Sequence, residues 1–152
     1  MNIVRVLDDI EPSYSHSVLA ENNGEYLVTG NDPYIGFDIS KFNLKGSEVG
    51  LMSFDFTCEK SVGMPKIEVF WSTSRNTMGV STMYHLNGHT GHHIVPMDSN
   101  PTWLLAEKLQ SVRFDILDQS SCEVFSFKNI TFMSRQSAVN YNDRNKSKAS
   151  LR

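Results

Sequence analysis

Two-residue alternation of apolar and polar side chains is the feature that most constrains this chain. In Ser111-Val112-Arg113-Phe114-Asp115-Ile116, the residues Val112, Phe114 and Ile116 point one way, and Arg113 and Asp115 point the other. Met52, Phe54 and Phe56 share a face, as do Ile35, Phe37 and Ile39. Ile67, Val69 and Trp71 form a third such set. Phe125 and Phe127 share a face, then Ile130 and Phe132 do, so the apolar phase slips near Asn129 and predicts a β-bulge there. Turn signals such as Asn22-Asn23-Gly24, Lys45-Gly46-Ser47, Asn87-Gly88 and Asp98-Ser99-Asn100-Pro101 separate these runs at short, even spacing. The one helix candidate is short, over 101–108. These signals predict an all-β antiparallel sandwich, jelly-roll-like, of roughly eight to ten strands.

Size and charge narrow the function classes. The chain has 152 residues, 39% hydrophobic and 20% charged, enough for one domain with a proper core. No run approaches the ~18 apolar residues of a membrane-spanning helix. A net charge of −3 argues against a nucleic-acid-binding body. The stretch 134–152 holds Arg135, Arg144, Lys146, Lys148 and Arg152 against Asp143, a net of +4, so the other 133 residues carry −7. With few large apolar side chains, this stretch reads as a disordered basic tail or linker behind a sandwich domain over 1–133. The first residues lack the basic start and apolar run of a secretory signal, so a cytoplasmic location is expected. In that compartment Cys58 and Cys122 are expected to be free thiols that serve as small core residues, with a disulfide between them as the alternative.

Several constellations could carry chemistry. His85, His89, His92 and His93 lie within nine residues, a grouping that could ligate a metal, although the spacing matches no zinc pattern. If the segments around Asn87-Gly88 form a hairpin, His85 and His92 face each other across it. A solvated polar hairpin and a sugar-hydroxyl contact are the competing readings. Tyr84 beside the histidines is the best exposed aromatic for stacking on a sugar ring. Trp71 and Tyr34 are further candidates, though alternation directs Trp71 to the core, and Trp103, a fourth, is expected to cap the core at one end. Arg113 and Asp115 could clamp a polyhydroxylated ligand or form an ion pair on a solvated face. Asp8, Asp9 and Glu11, or Asp32 and Asp38, could contribute to a structural calcium site, but neither set has calcium-loop spacing. No other cofactor is indicated. No nucleophile, metalloprotease, phosphate-loop or dinucleotide motif is present, so the reading leans away from an enzyme.

One string of residues is familiar. It runs from Asp32-Pro33-Tyr34-Ile35 through Phe70-Trp71-Ser72 and Gly91-His92-His93-Ile94-Val95-Pro96-Met97 to Trp103. It continues with Ser111-Val112-Arg113-Phe114-Asp115 and closes on Phe125-Ser126-Phe127-Lys128-Asn129-Ile130-Thr131-Phe132. Over roughly residues 25–133 this resembles the galactose-binding-like jelly-roll modules beside bacterial surface-polysaccharide glycosyltransferases. The glycine usual after the tryptophan is replaced by Leu104-Leu105-Ala106. The resemblance implies a non-catalytic carbohydrate-binding module for a glycan or polysaccharide, with a glycosyltransferase domain as partner; self-association through the sandwich edges and the basic tail is a separate expectation. The expected ligand-binding residues are Tyr84, His85, His92, Arg113, Asp115 and Trp71. The alternatives are a protein–protein interaction domain with no small ligand, or a small metal-dependent enzyme using the His85–His93 cluster.

Overall fold

The structure is a computed structural model and describes residues 2–7 and 11–135. It contains β1 (Asn2–Val6), β2 (Tyr14–His16), β3 (Val18–Ala20), β4 (Tyr26–Val28), β5 (Tyr34–Asp38) and β6 (Leu51–Glu59). β7 (Lys66–Thr73), β8 (Met83–Asn87) and β9 (Gly91–Val95) follow, then the single helical turn α1 (Pro101–Leu104), β10 (Leu109–Ile116) and β11 (Val124–Ser134). The first sheet runs β3-β4-β11-β6-β9, with β1 also paired to β11; the second runs β2-β5-β10-β7-β8. All pairings are antiparallel. The count exceeds the expected ten because β2, β3 and β4 are three-residue strands too short to show an alternation.

The period-two faces become the core. Val112, Phe114 and Ile116, with Ile67, Val69 and Trp71, face Met52, Phe54, Phe56, Phe125 and Phe127 from the other sheet, all buried. Rings close the gap between the sheets: Phe114 lies 5.3 Å from Phe54 and 4.7 Å from Phe127, centroid to centroid. The phase slip is a bulge. The β11–β6 register shifts between Lys128 and Thr131, and Asn129 takes φ 54°. α1 is shorter than the sequence suggested. Asn100 caps it by accepting from the Thr102 N–H (2.9 Å), and Trp103 turns inward, donating from Nε1 to the Val49 carbonyl (2.7 Å). Trp103 meets Trp71 edge-on, at 5.7 Å and 90°.

Two expectations are corrected here. Cys58 and Cys122 are not free thiols but a disulfide, with Cα atoms 5.8 Å apart. Cys58 lies opposite Phe125 in the β6–β11 register, and Cys122 sits just before β11, so pairing of the strands brings the sulfurs together. The segments flanking Asn87-Gly88 do not form a hairpin either. β8 pairs with β7 in the second sheet and β9 with β6 in the first, so the turn carries the chain from one sheet to the other. At the C-terminal end, β11 includes Ser134, and Arg135 Nε donates to Asp98 Oδ2 (2.6 Å). The rest of the basic stretch, 136–152, lies outside the described residues, as do Asp8 and Asp9.

Candidate functional site on the outer face of the second sheet

The side chains that point away from the core on the second sheet form rows across its strands. One row is His16 (β2), Tyr34 (β5), Asp115 (β10), Glu68 (β7) and His85 (β8), read from the pairing register. The next is Tyr14, Gly36, Arg113, Phe70 and Met83. A third brings Asp38, Ser111 and Ser72 together. Aromatic rings, charged groups and small residues thus share one sheet face.

Gly36 determines how Tyr14 lies. A Cβ built on Gly36 would stand 2.1 Å from both Cε2 and Cζ of Tyr14 and 2.6 Å from its hydroxyl oxygen. A ring approached edge-on at that bond would bring the oxygen closer than the carbons, so the ring covers Gly36 with its face. The phenol reaches across β5 to Ser111 Oγ on β10 (2.5 Å). The Tyr14 ring therefore lies flat on the sheet, its other face turned to solvent, and the residue is 36% exposed. Partial burial pushes the Tyr14 phenol above its ordinary range, with the bond to Ser111 opposing.

Beside this plate two rings, Tyr34 and His16, stand on edge. Tyr34 is inclined 70° to Tyr14. His16 stacks on Tyr34 at 5.3 Å and 14°, anchored by Nδ1 at 2.9 Å from the Asp32 carbonyl. On the β10 side, the Arg113 guanidinium carbon sits 4.2 Å from the Tyr34 centroid and 4.8 Å from that of Phe70. Arg113 also grips Asp115 through two parallel bonds, Nε to Oδ1 (2.8 Å) and Nη2 to Oδ2 (2.9 Å). Asp115 belongs to the outer face by register, yet it is only 4% exposed. Burial pushes its carboxyl up to about 6, outweighing the opposing pull of Arg113. Asp38 is the opposite case. Ser40 donates to its Oδ1 through both hydroxyl and backbone, and this holds the carboxyl below its usual range. At the β8 end, His85 Nδ1 lies 3.8 Å from Glu68 Oε2.

The structure separates the residues expected to bind ligand. His85, Arg113 and Asp115 lie together on this face. Trp71 is fully buried, its Nε1 donating to Thr102 Oγ1 (3.2 Å), so no ligand reaches it. Tyr84 is not an exposed plate. Alternation along β8 turns it inward, 5.4 Å from the Trp71 ring, with its hydroxyl bonded to the Pro96 carbonyl and Ser99. His92 belongs to the other sheet, where its Nδ1 meets Asp55 Oδ1 (2.7 Å). Asn129 Nδ2 donates to Asp55 Oδ2 (2.6 Å); this bond, then His92, keeps the Asp55 carboxyl low. His93 is buried and stacked on Phe54 at 5.2 Å. His85, His92 and His93 are thus separated onto two outer faces and the core, and only His89 stays beside another member, its ring 4.2 Å from that of His93. Among the described residues, no three His, Cys, Asp or Glu side chains gather closely enough to hold a metal ion.

Sequence reasoning missed Tyr14, His16 and Gly36. A usable signal was present: a glycine inside the β5 alternation marks close approach of another group. A cleft of about 790 Å³ opens elsewhere, between the two sheets, where Tyr26, Phe37 and Phe127 line it. Residues 8–10, which the structure does not describe, connect its lining residues Leu7 and Glu11.

Neither a family model nor a curated protein matches the chain. Solved structures do. A xylan-binding module, CBM86, from Roseburia intestinalis superposes with a TM-score of 0.61 at 14% identity, over 88% of this chain and 96% of that one. The family 11 carbohydrate-binding module of a cellulosomal cellulase from Clostridium thermocellum gives 0.50 at 17% identity, over 86% and 94%. At such identities the likeness establishes the fold: a jelly-roll-like β-sandwich of the kind found in carbohydrate-binding modules.

Proposed function

We propose that this domain is a non-catalytic carbohydrate-binding module whose ligand lies on the outer face of the second sheet. The observation that carries the reading is the Tyr14 ring, laid flat over Gly36 and tied to Ser111. A pyranose ring presents an apolar C–H face that stacks on such a plate, while its hydroxyls need fixed donors and acceptors at the rim. Asp38 and Ser111 border the plate on one side, and on the other, past Arg113 and its buried partner Asp115, Glu68 and His85 carry polar groups toward β8. The fold of the structural neighbours supports the same reading. Association with a surface-polysaccharide glycosyltransferase is supported by the sequence resemblance alone. The Cys58–Cys122 disulfide supports an oxidising compartment in place of the cytosol expected from the N-terminal residues.

Tyr14→Ala and Gly36→Ala test the site. Titration calorimetry and affinity electrophoresis against soluble xylan and a panel of bacterial surface oligosaccharides provide the readout. Loss of a stacking anchor costs about tenfold in affinity or more. Gly36→Ala keeps the tyrosine but lifts its ring off the sheet and off Ser111, and the far end of this half-exposed side chain can move without unfolding the domain. Both variants are expected to weaken binding while melting near the parent temperature. Full affinity in Tyr14→Ala would remove this face as the binding site.

A further inference from the structure

We propose, resting on the glycan-binding reading above, that this face takes a single solvated glycan chain rather than the flat surface of a crystalline polysaccharide, and that Arg113 is the positioning residue that sets this choice. A crystal face is planar, so it can be gripped only by rings that lie coplanar and level. Here one ring is level. Tyr14 lies on Gly36, and Tyr34 rises beside it at 70°. His16 is within 14° of parallel to Tyr34, and the Arg113 guanidinium lies over both the Tyr34 and Phe70 rings, 4.2 and 4.8 Å from their centroids. The result is a stacked ridge, His16–Tyr34–Arg113–Phe70, next to a plate one ring wide.

A planar surface meets the ridge before it meets the plate. A single chain fits in the step between them, stacked on Tyr14 and edged by Tyr34. Beyond Tyr14 the step continues over Ser111 and Ser72, which face each other across β10 and β7 and leave the floor low. Arg113 keeps the ridge upright. Its guanidinium carbon lies over both the Tyr34 and Phe70 rings, and two hydrogen bonds to the buried Asp115 carboxylate fix it there. With two of its N–H donors committed to Asp115 and its guanidinium carbon over two rings, Arg113 acts on the site through the neighbours that it holds.

The test compares soluble and crystalline polymers on the intact chain. Affinity electrophoresis against soluble xylan and mixed-linkage β-glucan is set beside depletion by microcrystalline cellulose and crystalline chitin. The parent is expected to bind at least one soluble polymer and to stay in the supernatant over the crystalline ones. Arg113→Met keeps the length but loses the cation and the Asp115 bonds, and is expected to lower soluble-chain affinity about tenfold. Tyr34→Leu removes the ridge and leaves the Arg113–Asp115 pair in place, so it gives a second reading should Arg113→Met not fold. It is expected to narrow the preference for soluble over crystalline polymer, a ratio that a purely structural role would not move. Preferential binding to crystalline polymer would overturn the proposal and leave the glycan-binding reading intact. Parent-like affinity and preference in both variants would overturn the role of the ridge. Absence of binding to every soluble and crystalline glycan would fail the underlying reading itself.

Discussion

Reducing the Cys58–Cys122 disulfide perturbs this fold without changing its sequence. The bond joins residues 64 positions apart. In the chain-entropy relation, a closed loop of that length restricts the unfolded chain by about 4 kcal/mol at 25 °C, toward the upper end of what disulfides contribute. The native state loses little on reduction, because Cys122 stays buried and the β6–β11 ladder is intact beside it. For a folded body of this size, that corresponds to a fall in Tm of about 10–15 °C. The measurement is a pair of thermal scans by circular dichroism, oxidised and in excess phosphine reductant, with thiol titration of the denatured, unreduced protein as control. Two titratable thiols in that control would show that the bond does not form. An intact bond whose reduction moves Tm by less than about 2 °C would refute the loop-entropy argument, because no other term in the structure offsets it.

Three further outcomes follow from particular residues. Asp115 titrates near 6 when folded against 3.8 for the unfolded carboxyl, so the unfolded chain releases this proton first as pH rises. Its contribution to stability is therefore greatest below pH ~4 and falls by on the order of 2 kcal/mol by pH ~7. Denaturation of Asp115→Asn beside the parent should show the variant gaining relative stability across that window; a constant or falling difference would mean that the Arg113 pairing outweighs burial. Gly46→Ala should destabilise by about 3 kcal/mol or more, because the new methyl would stand 1.5 Å from the Trp103 backbone oxygen, which cannot swing away; a parent-like urea midpoint would contradict that packing. Lys60 holds φ 56° at an exposed site where its ion pair with Glu123 (3.5 Å) contributes little, so Lys60→Gly should raise stability by about 0.5 kcal/mol in the same assay, with a decrease counting against backbone strain there.

The fold was legible because its determinants are local and periodic. Val112, Phe114 and Ile116 alternate with Arg113 and Asp115 whatever the partner strand is, and burial follows that period. The slip at Asn129 could be read the same way, since a bulge changes the phase within one strand. Partnership between strands was less legible. Asn87-Gly88 has the composition of a hairpin turn, but the backbone on either side pairs with β7 and β6, in different sheets. The same limit hid the disulfide. Cys58 and Cys122 meet only because β6 pairs with β11, and the compartment inferred from the N-terminal residues pointed to free thiols.

The candidate site was the least legible part, for a reason specific to sheet faces. An aromatic side chain becomes a flat plate only if its neighbours on the next strands leave room for it to lie down. Tyr84 looked exposed beside polar histidines, but β8 alternation turns it onto Trp71. Tyr14 sits in a three-residue edge strand with no apolar rhythm, and nothing within that strand marks it. Its role depends on Gly36, which offers no Cβ, and on Ser111, which places a hydroxyl where the phenol ends. The three residues come from three strands, and only the β2–β5–β10 register puts them in line. Gly36 is the one member that breaks a local rule, since glycine weakens a strand interior and gives nothing to pack. That local cost is offset by a ring stacked on the bare backbone. The glycine is therefore the residue from which the site could have been traced outward, first to the ring that covers it and then to the hydroxyl that holds the ring.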